Sequence, residues 1–262
     1  MSTPAHTRAQ LNFTEEFATA AESFAVMVAT ADLRAGVPTC PGWTVYDLVT
    51  HLGNIHAWAA TVVETGQVAA EQNDEPSARK ARAAAEWYAG KAEDLYEVLR
   101  IADPQAPCWN FAFGSGTAAF WPRRQLHETT VHGVDLTLAV GRVPDLNSDI
   151  SADGIDEALR VFLHRMHRRG YAADLSAPVS VVATDVERTW TIRPAGTDTV
   201  PAQAPAPPVV TDGATADADR IEGPAAAVYA LLWKRLPATD AALSFTGDAA
   251  RINSFLGSRL TA

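Results

Sequence analysis

The stretch WPRRQLHETTVHGVDL, residues 121–136, decides how the chain is read. Glu128 and His132 stand four residues apart in it, inside a helical run over 121–140 that Gly141 closes. A step of four on a helix of 3.6 residues per turn stacks two side chains on one face. A carboxylate and an imidazole stacked this way can reach one metal ion. Asp135 lies seven after Glu128 and Arg124 four before it, so the four polar side chains form one stripe. Asp135 is placed to orient His132, and Arg124 to hold Glu128. Charges at this spacing also describe a solvated, salt-bridged helix face, so the stripe alone leaves both readings open.

The same stretch begins like the H-E-x-x-H motif of zinc proteases, with His127 and Glu128, but the second histidine arrives one residue late. Five residues separate His127 from His132, which is roughly 140° around an undistorted helix, too far for one ion. Glu128 therefore reads as a ligand and not as the general base of a protease. A third candidate ligand is His51 in an earlier helix, where a lone histidine also reads as a hydrogen-bonded core residue. That helix carries Leu48, Leu52, Ile55, Ala59 and Val62 at helical spacing, and His51 falls on the flank of this apolar face. Two nitrogens and one carboxylate with a position left open are the donor set of a catalytic metal. The set suits zinc, nickel, iron or manganese. His56 is read as a structural core histidine.

Working outward, residues 1–145 read as helical. Phe13, Phe17, Phe24 and Val28 give a first amphipathic helix reaching about Arg34, which Gly36-Val37-Pro38 ends. Thr44 with Asp47 fits a capping box for the His51 helix, which runs to about Glu64. An alanine-rich helix carrying Trp87, Leu95, Val98 and Leu99 follows, then a loop over 104–116 rich in aromatics and glycine. Four long helices predict an up-down four-helix bundle, an architecture that builds metal sites from inward Glu and His. Residues 146–262 read as a small α+β domain. One helix is expected over 155–169, strands at 179–185, 188–194, 209–211 and around 214–221, a helix over 225–235, a strand near 243–246 and a final helix to about Leu256. The Pro/Ala-rich stretch 200–208 reads as an exposed loop.

The chain has 262 residues, a net charge of −10 and 47% hydrophobic content, which is globular and acidic. That charge argues against binding nucleic acid or anionic membranes. Two cysteines, Cys40 and Cys108, make no disulfide framework and no C-x-x-C motif. No secretory signal pattern opens the sequence and no run is long enough to span a membrane, so a cytoplasmic protein is expected.

The segments CPGWTVYDLVTHLGNIHAWA and RRQLHETTVHGVDLTLAVGR resemble the maleylpyruvate isomerase family of mycothiol-dependent enzymes, whose first domain is a DinB-like metal-binding four-helix bundle. IEGPAAAVYALLWKRLP and FTGDAARINSFL resemble that family's second domain. The resemblance implies that His51, Glu128 and His132 bind a divalent metal, usually zinc, with mycothiol as cosubstrate. It also maps a functional arginine of the second domain onto Arg235, the expected cation for a carboxylate or enolate, with Lys234 where the family has glycine. In an isomerase of this kind the thiolate adds to a cis double bond, the adduct rotates, and elimination gives the trans product. In a transferase the thiolate attacks an electrophile and the adduct leaves. A metal-dependent hydrolase using bound water is the alternative enzyme on the same ligands. A non-catalytic metal- or ligand-binding protein is the third reading.

Overall fold

The computed structural model describes residues 11–194 and 207–261. Four helices come first: α1 (Phe13–Val28), α2 (Val45–Thr65), α3 (Ala81–Ile101) and α4 (Phe120–Ala139). Helix α2 begins at the expected capping box. The Thr44 side chain accepts the Asp47 N–H while the Asp47 carboxylate accepts the Thr44 N–H. It ends at Gly66, whose φ of 68° is the left-handed conformation that closes a helix. Helix α1 stops at Val28, short of the expected Arg34. The Asp32 carboxylate accepts the Arg34 N–H at 3.0 Å, a local bond that competes with helix continuation. The main packing partners of α1 are α3 and α4, and those of α2 are also α3 and α4. Consecutive helices α1 and α2 thus face each other across the bundle, and α2 lies beside α4. That adjacency is what brings His51 to Glu128 and His132. Phe17, Phe24, Leu48, Leu52, Leu95 and Leu126 are among the buried side chains of this core.

His56 belongs to that core. It is fully buried, with Nδ1 2.8 Å from Gln125 Oε1 and Nε2 3.2 Å from the Tyr88 hydroxyl. Burial pushes its pKa down to about 4, against the bond to Gln125. A histidine depressed in the folded state stabilises the fold above its unfolded pKa of about 6.5 and loses that contribution as pH falls through about 4. Charging it in the core costs on the order of 3 kcal/mol. Urea unfolding of metal-free protein should therefore show stability falling between pH 6.5 and pH 4, and His56→Gln should flatten that slope. Parallel profiles for both proteins would mean that His56 does not carry it.

The second half begins with α5 (Ser148–Glu157), continues without a break through a π turn (Ala158–Phe162), and ends in α6 (Leu163–Arg168). The expected helix over 155–169 thus starts at Ser148, capped by the Asn147 side chain on the N–H groups of Asp149 and Ile150. Gly154, inside α5, serves a close approach. A Cβ there would stand 2.4 Å from the Tyr229 ring and 3.0 Å from His127 Nδ1. A five-stranded sheet follows in the order β3-β2-β1-β4-β5. It is built from β1 (Val179–Ala183), β2 (Arg188–Arg193), β3 (Val209–Asp212), β4 (Asp219–Gly223) and β5 (Ser244–Thr246). The β1–β4 pair is parallel, with Val181 opposite Ile221, and the others are antiparallel. The strand expected around 214–221 lies at Asp219–Gly223, because residues 215–218 make a turn closed by Ala218 N–H on Thr215 O. Residues 200–206 of the expected Pro/Ala-rich loop lie outside the described residues. Helices α7 (Ala225–Leu232) and α8 (Ala249–Gly257) pack on this sheet, and α7 also packs on α5. Val181, Trp190, Ile192, Val228 and Phe255 belong to a second hydrophobic core. Among the described residues no helix is long and apolar enough to cross a membrane.

Candidate metal centre

The turn that precedes α2 sets one wall of the site. Pro41 and Gly42 occupy the corners of a type II turn, with Gly42 at φ 86° and the Trp43 N–H on Cys40 O at 3.0 Å. Val37 N–H to Trp43 O and Val45 N–H to Ala35 O tie the connection back against the start of α2. Thr39, Cys40 and Trp43 are thereby held over the polar stripe of α4. The Trp43 ring centroid lies 4.9 Å from that of His51, and 6.4 Å from that of His132 with the planes 23° apart.

His51, Glu128 and His132 converge. Glu128 Oε1 is 3.4 Å from His132 Nε2 and 3.7 Å from His51 Nε2, and one donor atom from each residue lies within 4.8 Å of the other two. Two donors bonded to one tetrahedral zinc at 2.0–2.2 Å stand roughly 3.4 Å apart. The donor set and its spacing therefore fit a divalent ion. The imidazole rings meet nearly edge-on, at 81° and 5.2 Å. His127, five residues from His132, leaves on the other side of α4, where its Nε2 meets Asp153 at 2.8 Å.

Each α4 donor is oriented from behind. Asp135 Oδ2 accepts from His132 Nδ1 at 2.9 Å, which puts the ring proton on Nδ1 and leaves the Nε2 lone pair toward Glu128. Arg124 Nη2 donates to Glu128 Oε2 at 2.9 Å, leaving Oε1 toward the histidines. Both supports continue into the second half of the chain. Arg235 forks Asp135, with Nε on Oδ1 at 2.8 Å and Nη2 on Oδ2 at 2.7 Å. Glu157 Oε2 accepts from Arg124 Nη1 at 2.5 Å. Arg235 follows α7 directly. That helix ends at Leu232 and not at the expected Arg235, because Lys234 takes φ 62°. This left-handed conformation favours glycine, the residue the resemblance puts at that position.

Burial alone would raise the Glu128 pKa, but Arg124, His132 and His51 outweigh it and hold the carboxyl well below its usual range. Burial likewise opposes charge on His132, and its bonds to Asp135 and Glu128 reverse that and raise its pKa. A second group, Cys40, His132 and Asp135, also gathers three donor atoms within 4.8 Å. It makes a poor metal site. Asp135 is saturated by Arg235, by His132 and by the Thr39 hydroxyl at 2.5 Å. The Cys40 thiol is pushed up to about 11 by burial and by the Asp135 charge, against the pull of Arg235. Glu157 and Thr39 escape the sequence reading altogether. Nothing in their local spacing relates them to α4; only the packing of α5 and of the 29–44 connection does.

Residues 14–137 match the family model described as the mycothiol maleylpyruvate isomerase N-terminal domain, and residues 149–253 match the MDMPI C-terminal domain. Two solved structures are similar in fold. One is a histidine-to-alanine mutant of the mycothiol-dependent maleylpyruvate isomerase, at TM-score 0.59 and 14% identity over 90% of this chain and 93% of that one. The other is the mycothiol-dependent maleylpyruvate isomerase itself, at TM-score 0.57 and 14% identity with the same coverage. At that identity the likeness concerns the fold. No curated protein matches the chain in sequence.

Proposed function

The chain belongs to the mycothiol-dependent maleylpyruvate isomerase family, and from that premise we propose that it is a divalent-metal enzyme, with zinc the favoured ion, that uses mycothiol as thiol cosubstrate for S-transfer or cis–trans isomerisation of a small-molecule electrophile. The supporting observation is the convergence of His51, Glu128 and His132, with both α4 donors braced from behind. A divalent ion held there lowers the pKa of a thiol that meets it, which supplies a nucleophile at neutral pH. Asp135 keeps the His132 proton on Nδ1, and Arg124 fixes which Glu128 oxygen faces the histidines. Trp43 lies against His51 and His132 at the start of α2. Arg235 brings residues 146–262 onto residues 1–145 through Asp135, so both expected domains contribute to the site. A cytoplasmic enzyme of this kind would draw on a thiol pool that is kept reduced.

The nucleophile comes from the cosubstrate because neither protein thiol suits the role. Cys40 is protonated at neutral pH, and Cys108 is buried with its thiol on Val62 O. Turnover should therefore require mycothiol, and Cys40→Ser and Cys108→Ser should each retain it. A screen of electrophiles with and without mycothiol checks this. Full turnover in thiol-free buffer would instead support the metal-dependent hydrolase. Loss of turnover in a folded serine variant would point to a protein nucleophile.

A further inference from the structure

The arginines around the candidate metal centre divide into two kinds. Arg124 binds Glu128 and Glu157, Arg123 binds Asp153 and Asp156, and Arg235 forks Asp135. Arg165 on α6 is different. Among the described residues it has no carboxylate within ion-pair reach, although it is half-buried. Its guanidinium carbon lies 4.3 Å from the centroid of the Phe111 ring and 5.9 Å from that of Phe162. The guanidinium carbon of Arg124 lies 4.8 Å from the same Phe162 centroid. One aromatic ring therefore relates Arg165 to the guanidinium that holds Glu128.

The π turn produces this arrangement. Residues five apart sit roughly 140° from each other on an α-helix, but an i→i+5 turn brings them closer to one face. Across Ala158–Phe162 it brings Glu157 and Phe162 onto the same guanidinium, that of Arg124, and α6 then leaves with Arg165 beside them. The aromatic platform is held as well. Phe111 packs against both hydrophobic cores, and Arg168 Nη1 donates to Ala112 O at 2.7 Å.

We infer that Arg165 is the anchor for a carboxylate of the electrophilic substrate, in a subsite formed by α6, the loop over 104–116 and the metal ligands. A guanidinium presents five N–H donors in a planar fork that matches a carboxylate with two bonds. Arg235 has its fork on Asp135, whereas Arg165 makes no hydrogen bond to a protein acceptor among the described residues. The electrostatics agree. Burial, then Arg169 and Arg124, disfavour the Arg165 charge, and Glu128 offsets them only in part. A carboxylate arriving at the Arg165 fork supplies the close counter-charge that the described residues do not give it. The subsite specifies the substrate of the proposed enzyme and rests on that reading, but its test is separate from it.

The probe is maleate, a cis-dicarboxylate, titrated calorimetrically into the full-length protein as purified, with dimethyl maleate as the uncharged control. Metal content is measured on the same samples. Wild type should bind maleate and not the diester, and Arg165→Met should weaken maleate about tenfold or more at unchanged metal content and melting temperature. Arg165→Lys, which keeps the charge and the ring contact but not the fork, should fall between the two and serves if the methionine variant does not fold. Equal maleate affinity in wild type and in a folded variant, or binding of the diester as tight as that of maleate, would overturn the inference. An Arg165-dependent maleate site in protein that carries no metal would uphold the subsite while counting against the metal enzyme.

Discussion

Asp135→Asn should weaken metal binding by about 10- to 100-fold and destabilise the protein by about 3–5 kcal/mol. Asp135 is fully buried and serves two masters: it accepts from His132 Nδ1 and it neutralises Arg235. An asparagine has the same shape but only one accepting atom. If its oxygen faces Arg235, its NH2 faces His132 Nδ1 and drives the ring proton to Nε2, where it blocks the metal-binding lone pair. If its oxygen faces His132, an NH2 abuts a guanidinium that has lost its counter-charge. Either choice removes one function of the aspartate. Calorimetric titration of metal into the variant, with urea unfolding of metal-free protein, reads the two losses. A variant with wild-type metal affinity would show that Asp135 does not set the His132 tautomer.

What the sequence could disclose was set by the range of the interactions. The Thr44–Asp47 cap and the Arg124–Glu128–His132–Asp135 stripe rest on contacts three to seven residues long, which helical periodicity carries directly. The late second histidine of the false protease motif belongs with them, since one residue of offset turns His127 toward Asp153. The position of His51 needed one further step, the packing of α2 on α4. Beyond that the signal fades. Glu157 reaches the site across 33 residues and Arg235 across 100, and only tertiary packing relates them to Arg124 and Asp135. The resemblance placed Arg235, while its fork on Asp135 needed the fold. The π turn has no signature in spacing, so nothing in the sequence relates Arg165 to Arg124.

The second large effect is expected at the ligands. His51→Ala and His132→Ala should each lower bound metal from one ion per chain to near zero and turnover by roughly a thousandfold. His51 makes the cleaner case. Its side chain is 34% exposed against 10% for His132, so truncation costs less packing there, and the metal-free variant should lose less in melting temperature than His132→Ala does. The most direct measurement is anomalous diffraction from crystals of the purified protein at the absorption edge of its metal. One strong peak is expected about 2.0–2.2 Å from a nitrogen of His51, a nitrogen of His132 and an oxygen of Glu128. A metal-replete protein with no peak among those three side chains, or with its ion among Cys40, His132 and Asp135, would contradict it.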